Sequence, residues 1–490
     1  MNKFYITTPI YYVNSDPHIG SAYTTIAADV LARWHRLKGE NVFFLTGTDE
    51  HGQKIQEAAK NENLKPKEFV DKIVKSFKES FKLLEISNDN FIRTTDKNHE
   101  DEVKIFLQEL HNKGFIYKGH YESYYCIGCE QYLNENDLVD GKCVLHDRKP
   151  ELRKEEAYLF KLSAFQGQLL KLIKSGKYNI MPKKRRKEVI AFIENGLKDI
   201  SISRLKENVS WGIELPFDKN HTCFVWVDAF WNYLTGLKAK NKFAEFWPPD
   251  VQLMAKDILR VHATIWPALV LASGNKLPKT LFVHGYFTIN GKKMSKSLGN
   301  AISPKYLADK YGSDSVRYFL IRGIQFGDDG DFSEEKLKSS INNELANDLG
   351  NLVSRILTLA EKEFNGKIKK CAVDKGLSLK LNVKHIDKLM VSYSINEALN
   401  EIWKFINECN KHVNQEKLWE KKGKDLEKHL YTLLESIRII AILLESFIPS
   451  TSGKIFGQLG INCEGLMDAK FGLVKEYTVK KGEILFNKLK

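Results

Sequence analysis

At 490 residues, 43% of them hydrophobic and 28% charged, the chain has the length for about three domains and the composition of a globular protein, not a fibrous or disordered one. A formal net charge of +13 favours a polyanionic partner such as nucleic acid. No apolar run approaches the ~20 residues of a membrane helix, the N-terminus runs directly into a strand pattern with no room for a signal or transit peptide, and seven cysteines disfavour a disulfide scaffold, so a cytoplasmic enzyme is expected.

Residues 4–8 are β-branched and aromatic and read as a strand. The chain turns through Asn14-Ser15-Asp16-Pro17 and enters a helix with the apolar face Tyr23, Ile26, Ala27, Val30, Leu31 and Trp34. The helix opens at His18-Ile19-Gly20-Ser21, where unsatisfied N–H groups make a phosphate site, Gly20 admits a ligand to the backbone, and His18 and Ser21 share one face. Residues 41–47 form a second strand ending in Thr48-Asp49-Glu50-His51-Gly52 ahead of another helix. This is a βαβ unit, whose ligands gather at the carboxyl ends of the strands, where Asp49 and His51 sit. Gln53 stands where a Walker motif needs lysine, which excludes a P-loop.

From about residue 118 to 215 the texture becomes aromatic-rich and cysteine-bearing, as expected of an insertion between two halves of a nucleotide-binding sheet. Strand–helix texture returns at residues 223–228 and 280–285. Beyond about residue 337, helical periodicity runs through 341–364, 385–412 and 426–444, as in a helix bundle.

Two motifs carry chemistry. Cys126-Ile127-Gly128-Cys129 is followed, after thirteen residues, by Cys143-Val144-Leu145-His146. Two tight turns with two donors each suit a tetrahedral, structural zinc, and Cys223, Cys371, Cys409 and Cys463 have no such spacing. The glycine-bounded stretch 288–300 presents Lys292, Lys293 and Lys296, suited to neutralising a polyphosphate in a transition state.

His18-Ile19-Gly20 paired with Lys293-Met294-Ser295-Lys296-Ser297 resembles the HIGH and KMSKS signatures of class I aminoacyl-tRNA synthetases. Within that class the chain resembles the methionyl-tRNA synthetase family along nearly its whole length: residues 8–14 (TPIYYVN), 45–55 (LTGTDEHGQKI), the single knuckle, 196–204 (GLKDISISR), 211–216 (WGIELP), 225–229 (VWVDA), and the stretch ending at Asn300. The resemblance implies a Rossmann-type α/β parallel-sheet catalytic domain with a zinc-bearing insertion, followed by an all-α anticodon-binding bundle. The boundaries it suggests are 1–117 and 221–302 for the two catalytic halves and 118–220 for the insertion. A stem-contact linker at 303–348, with the lysine loop at its start, and a bundle at 349–490 follow.

The resemblance further implies activation of L-methionine with ATP and transfer to tRNA(Met), initiator and elongator. Asp49 would hold the methionine ammonium, with Ile10, Tyr12, Trp226, Ala229, Tyr233 and His262 around the side chain; the Tyr233 hydroxyl and the Ile10 N–H would face sulfur. His18, Gly20 and Ser21 would bind the phosphates, Lys256 and Asp257 the ribose, Lys296 the leaving pyrophosphate with help from Lys293, and Mg²⁺ would accompany ATP. Cys126, Cys129, Cys143 and His146 would hold one zinc, and Asn351, Arg355 and Trp419 would read the anticodon. Two departures from the family pattern stand out: Ser21 replaces the second histidine of the first signature, and Ala255 replaces the glycine before Lys256. No C-terminal dimerisation domain follows Phe486, so a monomer is expected.

Two other readings compete. One is a class I synthetase for another apolar amino acid, although the roughly hundred-residue insertion leaves little room for an editing domain; the other is a non-catalytic tRNA-binding or zinc scaffold, disfavoured by the intact signatures.

Overall fold

The structure is a computed structural model that describes residues 2–127, 131–133, 138–144, 149–289, 292–293, 301–462 and 465–489. Its centre is a seven-stranded sheet whose strands, in chain order, are β1 (Lys3–Thr7), β2 (Tyr11–Tyr12), β3 (Asn41–Asp49), β4 (Asn90–Arg93), β5 (Asn179–Met181), β6 (Val251–Ala255) and β7 (Thr280–His284). All pairings are parallel. One edge of β3 takes β1 along Asn41–Leu45 and then β2 at Thr48 and Asp49, while its other edge takes β4. On the far side, β1 pairs β6, β6 pairs β7, and β7 pairs β5. The chain leaves β1 towards β3 and returns much later to β6, so the topological switch point lies between β1 and β6, where α/β sheets bind ligands.

β1, β3, β6 and β7 are buried almost throughout, as expected of strands covered on both faces. The Ile19–Leu37 helix covers one face with a broad buried surface that includes Ile26, Val30, Leu31 and Trp34.

β5 lies inside the segment expected as an insertion, yet belongs to the main sheet; three residues are too short for periodicity to reveal it. A second four-stranded sheet is built on the long antiparallel pairing of Ile116–Cys126 with Glu151–Phe160. The strand–helix texture expected at 223–228 is the end of the strand Asp218–Cys223 followed by the helix Val225–Phe230, but that strand belongs to a separate three-stranded antiparallel sheet and not to the nucleotide-binding sheet. All six residues of that helix are buried, so no polar face marks its 3.6-residue period.

The C-terminal region is helical: Ile341–Gly350 (a π-helix), Asn351–Phe364, Val383–Val391, Ile395–Gln415, Gly423–Leu444 and Pro449–Leu459. The expected continuous helix at 385–412 is broken at Ser392-Tyr393-Ser394, where Tyr393 takes a positive φ of 63°. Arg317 locks this region to the sheet. Its side chain is fully buried, pairs with Asp29 of the first helix at 2.8 Å, and donates to the carbonyls of Leu84, Ser446 and Phe447 at 2.9–3.0 Å.

Candidate active site

The carboxyl edge of the sheet gathers the expected residues. His18 is the N-cap of the Ile19–Leu37 helix: its Nδ1 accepts from the Gly20 N–H at 3.0 Å, which makes Nε2 the protonated nitrogen of an exposed ring. A Cβ on Gly20 would lie 2.8 Å from His18 Cε1, so glycine here leaves room for the imidazole itself. Ser21 departs from the expectation. Its hydroxyl donates to the His18 carbonyl at 2.7 Å and accepts from the His18 N–H at 3.3 Å, closing a capping box instead of facing a phosphate.

Both flanks of the lysine loop reach this helix start. The Ile19 N–H donates to the Ile302 carbonyl at 3.0 Å, just beyond the loop. Thr24, one turn on, hydrogen-bonds His284 Nε2 at 2.7 Å, at the end of β7. His284 Nδ1 lies 2.7 Å from the Gly285 carbonyl, and burial pushes its pKa down to about 4. A carbonyl only accepts, so Nδ1 carries the proton and Nε2 accepts from Thr24. Within the loop, residues 292–293 form a short strand paired with Thr288 and Ile289. The Lys293 side chain and Lys296 lie outside what is described.

On the other side of β1, Asp49 ends β3, is buried, and stands in register with Tyr12 of β2. Tyr12 meets Trp226 edge-on at 6.3 Å. Ala229 lies one helical turn after Trp226 and is likewise buried. Ile10 is half-buried and packs against the apolar cluster that contains Tyr5, Phe43, Leu45 and Phe246. Tyr233 and His262 are joined by a 2.9 Å hydrogen bond, and His262 Nδ1 lies 2.9 Å from the Ile258 carbonyl. Burial pushes the His262 pKa down to about 4. By the same argument Nδ1–H donates to Ile258, Nε2 accepts, and the Tyr233 proton is engaged by His262. That corrects the expected donation from the Tyr233 hydroxyl to sulfur.

At the end of β6, Asp257 is exposed, but the Lys256 ammonium is held by Asp329 at 2.5 and 2.8 Å over the ring of Tyr286. Asp329 also accepts from the Tyr286 N–H at 2.8 Å. Lys256 therefore clips β6 to the 327–329 turn, a contact that local spacing does not announce. A Cβ on Gly285 would lie 2.3 Å from the Asp328 carbonyl, so this turn packs directly against the end of β7.

In the knuckle, Cys126 and Cys143 are each 2% exposed and share one small apolar cluster with Leu133; Cys129 and His146 lie outside the described residues. In the bundle, Asn351 opens its helix half-buried, Arg355 is exposed one turn later, and Trp419 is 59% exposed in the turn after the Ile395–Gln415 helix. Asn410 Nδ2 donates to the Asp348 carbonyl at 3.0 Å and ties that helix to the segment preceding Asn351.

Sequence reasoning missed the charged cluster behind the pocket. Asp228 is 1% exposed; its Oδ2 accepts from His51 Nδ1 at 2.7 Å and its Oδ1 from His99 Nε2 at 2.8 Å. Burial alone would lower the His51 pKa, but the Asp228 carboxylate, with Glu100 at 3.7 Å, overrides it and pushes it up to about 10. Glu50, fully buried and lying between Asp49 and His51 in sequence, receives a bidentate pair from Arg93 at 2.7 Å and the Thr48 and Thr95 hydroxyls at 2.6 Å. The only sequence signals were the histidine in Asp49-Glu50-His51-Gly52 and the aspartate in Val225-Trp226-Val227-Asp228-Ala229.

A parallel sheet with its site at the switch point, a histidine-capped helix against the lysine loop, and a helical C-terminal region together define a class I aminoacyl-tRNA synthetase architecture. Comparisons agree. The model for tRNA synthetases class I (M) matches residues 4–143 and 128–357, and that for the anticodon-binding domain of tRNA ligases matches 378–486. The methionine–tRNA ligase of Caldanaerobacter subterraneus subsp. tengcongensis is 47% identical over 99% of this chain and 79% of its own. That of Rickettsia bellii is 44% identical over 94% of each. Mycobacterium tuberculosis methionyl-tRNA synthetase in complex with methionyl-adenylate superposes with a TM-score of 0.95 at 34% identity, covering 99% of this chain and all of that one. Its apo form superposes with a TM-score of 0.87. The chain belongs to the methionyl-tRNA synthetase family.

Proposed function

We propose that this chain is a methionine–tRNA ligase that activates L-methionine with ATP and transfers it to the 3′-terminal adenosine of tRNA(Met). The observation that carries the reading is the convergence, at one switch point, of the His18 cap, both flanks of the lysine loop, and a buried carboxylate beside a cluster of aromatic side chains.

Methionine lies between β3 and the Val225–Phe230 helix, its ammonium on Asp49 and its side chain among Ile10, Tyr12, Trp226, Ala229, Tyr233 and His262. Aromatic edges favour the thioether. With the Tyr233 proton engaged by His262, the Ile10 N–H is the donor left for sulfur. ATP lies over Gly20, with His18 Nε2–H on its phosphates, Asp257 near the ribose, and Lys293 and Lys296 closing on the pyrophosphate. Lys256 acts through its Asp329 clip. Mg²⁺, when bound with ATP, neutralises phosphate charge.

The methionine carboxylate attacks the α-phosphorus in line, the α–β bridging bond breaks, and pyrophosphate leaves with the electron pair. The adenosine hydroxyl of the tRNA then attacks the acyl carbon, loses its proton, and AMP leaves. Neither step forms a covalent enzyme intermediate, so the residues act by positioning and charge stabilisation.

Cys126 and Cys143, apart in sequence and buried in one cluster, fit a structural zinc, with Cys129 and His146 completing the donor set. Asn351, Arg355 and the exposed Trp419 offer edge hydrogen bonds and a stacking surface to unpaired anticodon bases. ATP–pyrophosphate exchange tested across amino acids checks the reading: exchange dependent on methionine is expected, and exchange indifferent to it overturns the assignment. Tight tRNA binding without adenylate formation would favour the scaffold alternative.

A further inference from the structure

The proposed methionine cavity has two walls, and one carboxylate joins them. Asp49 and Tyr12 stand on the sheet side, at the ends of β3 and β2. Trp226 and Ala229 stand on the Val225–Phe230 helix, and Tyr233 on the Asn232–Lys238 helix that follows. Asp228 sits on the first of these helices, and its carboxylate takes part in the charged cluster. Through Oδ2 it holds His51, two residues beyond Asp49. Through Oδ1 it holds His99 of the Lys97–Asn112 helix, and His99 Nδ1 lies 2.7 Å from the Thr235 hydroxyl, two residues beyond Tyr233.

Both walls are thus tied to one anion by short, buried hydrogen bonds, each charge-assisted through the carboxylate. A carboxylate accepts from both sides at once; an amide of the same shape presents one acceptor and one donor. A neutral side chain of equal volume would leave the buried His51 without its counter-charge at 2.7 Å and His99 without its acceptor at 2.8 Å, so the carboxylate is what holds both imidazoles in place.

We propose that Asp228 is a positioning residue that sets the width of the methionine cavity by clamping His51 and His99, and with them Asp49 and Tyr233, at fixed separation. The proposal rests on the methionine-cavity reading given above. It makes Asp228 responsible for methionine affinity while leaving the ATP side, built on the first helix, β6 and β7, outside its reach.

The test is methionine-dependent ATP–pyrophosphate exchange with D228N. The Michaelis constant for methionine is expected to rise tenfold to a hundredfold, about the equivalent of one charge-assisted buried hydrogen bond. The Michaelis constant for ATP and the turnover number should stay within about twofold, because a positioning loss on one substrate is a uniform binding loss for that substrate alone. A second pair carries the test if D228N does not fold: H99A should raise the methionine constant, and H99Q, whose amide spans the same two partners, should recover most of the loss. A D228N enzyme whose methionine constant is unchanged, or whose constants for both substrates rise together, overturns the proposal, as does an H99Q no better than H99A. Failure of the underlying reading is distinguishable, since the unmodified protein would then show no methionine dependence at all.

Discussion

Replacing Arg317 by methionine tests how much one buried cation contributes to the joint between the catalytic sheet and the helical bundle, beside the Arg33–Glu445 and Trp34–Asp387 contacts. Methionine roughly preserves the stem's bulk but removes four interactions: the ion pair to Asp29 at 2.8 Å and donations to the carbonyls of Leu84, Ser446 and Phe447. Each carbonyl left without its donor costs about 1 kcal/mol. Asp29 does not become wholly bare, since it keeps Arg33 at 2.8 Å and the Ser87 N–H and hydroxyl at 2.7 and 2.6 Å. Its share of the loss is therefore held to about 1–2 kcal/mol, and the whole to about 4–5 kcal/mol, at the upper end of the range for breaking a buried pair. D29N should cost less, about 1–3 kcal/mol, because Arg317 keeps its three carbonyl acceptors. Urea unfolding followed by tryptophan fluorescence should show R317M far below D29N, which in turn lies below the unmodified protein. A loss for R317M under about 1 kcal/mol, or a D29N more damaged than R317M, would refute the idea that this guanidinium is a principal tie in the joint.

Stability should depend on pH from both sides. His262 and His284, held near 4 when folded, are neutral in the native state and charge only on unfolding. The stability they contribute is present above about pH 6.5 and is lost as pH falls towards about 4. His51, held near 10, contributes stability that is present below about pH 6.5 and lost as pH rises towards 10. Thermal melting between pH 4 and 10 should therefore peak near neutrality, and H51Q should flatten the alkaline limb. G285A forces the Asp328 backbone away from β7 and carries Asp329 and its Lys256 partner with it; the Michaelis constant for ATP should rise about tenfold while that for methionine holds, measured by exchange. G20A pushes the His18 ring off its cap position without disturbing the buried helix face, so it should slow adenylate formation by about tenfold to a hundredfold in single-turnover assays with little change in melting. C126S should lose zinc by elemental analysis and loosen the knuckle to proteolysis, and an unchanged zinc content would remove Cys126 from the ligand set.

Much of this molecule is written in local sequence. The helix from Ile19 is legible because its apolar residues recur at helical spacing behind a polar cap, and β1 and β3 because their apolar runs are strand-length and bounded by turns. The two signatures and the cysteine spacing are legible because phosphate binding and zinc each need particular residue types a few positions apart. Where burial is complete, that legibility fails: Val225–Phe230 has no polar face to reveal its period, and β5 is too short to show one. Tertiary structure alone decided which partner each polar group meets. Ser21 turned to cap its own helix, Lys256 to clip Asp329, the Tyr233 proton to His262, and Asp228 to two histidines 177 and 129 residues away in the chain. A hydrogen bond depends on distance and direction at the scale of an ångström, and those are fixed only once the strands have paired and the helices have packed.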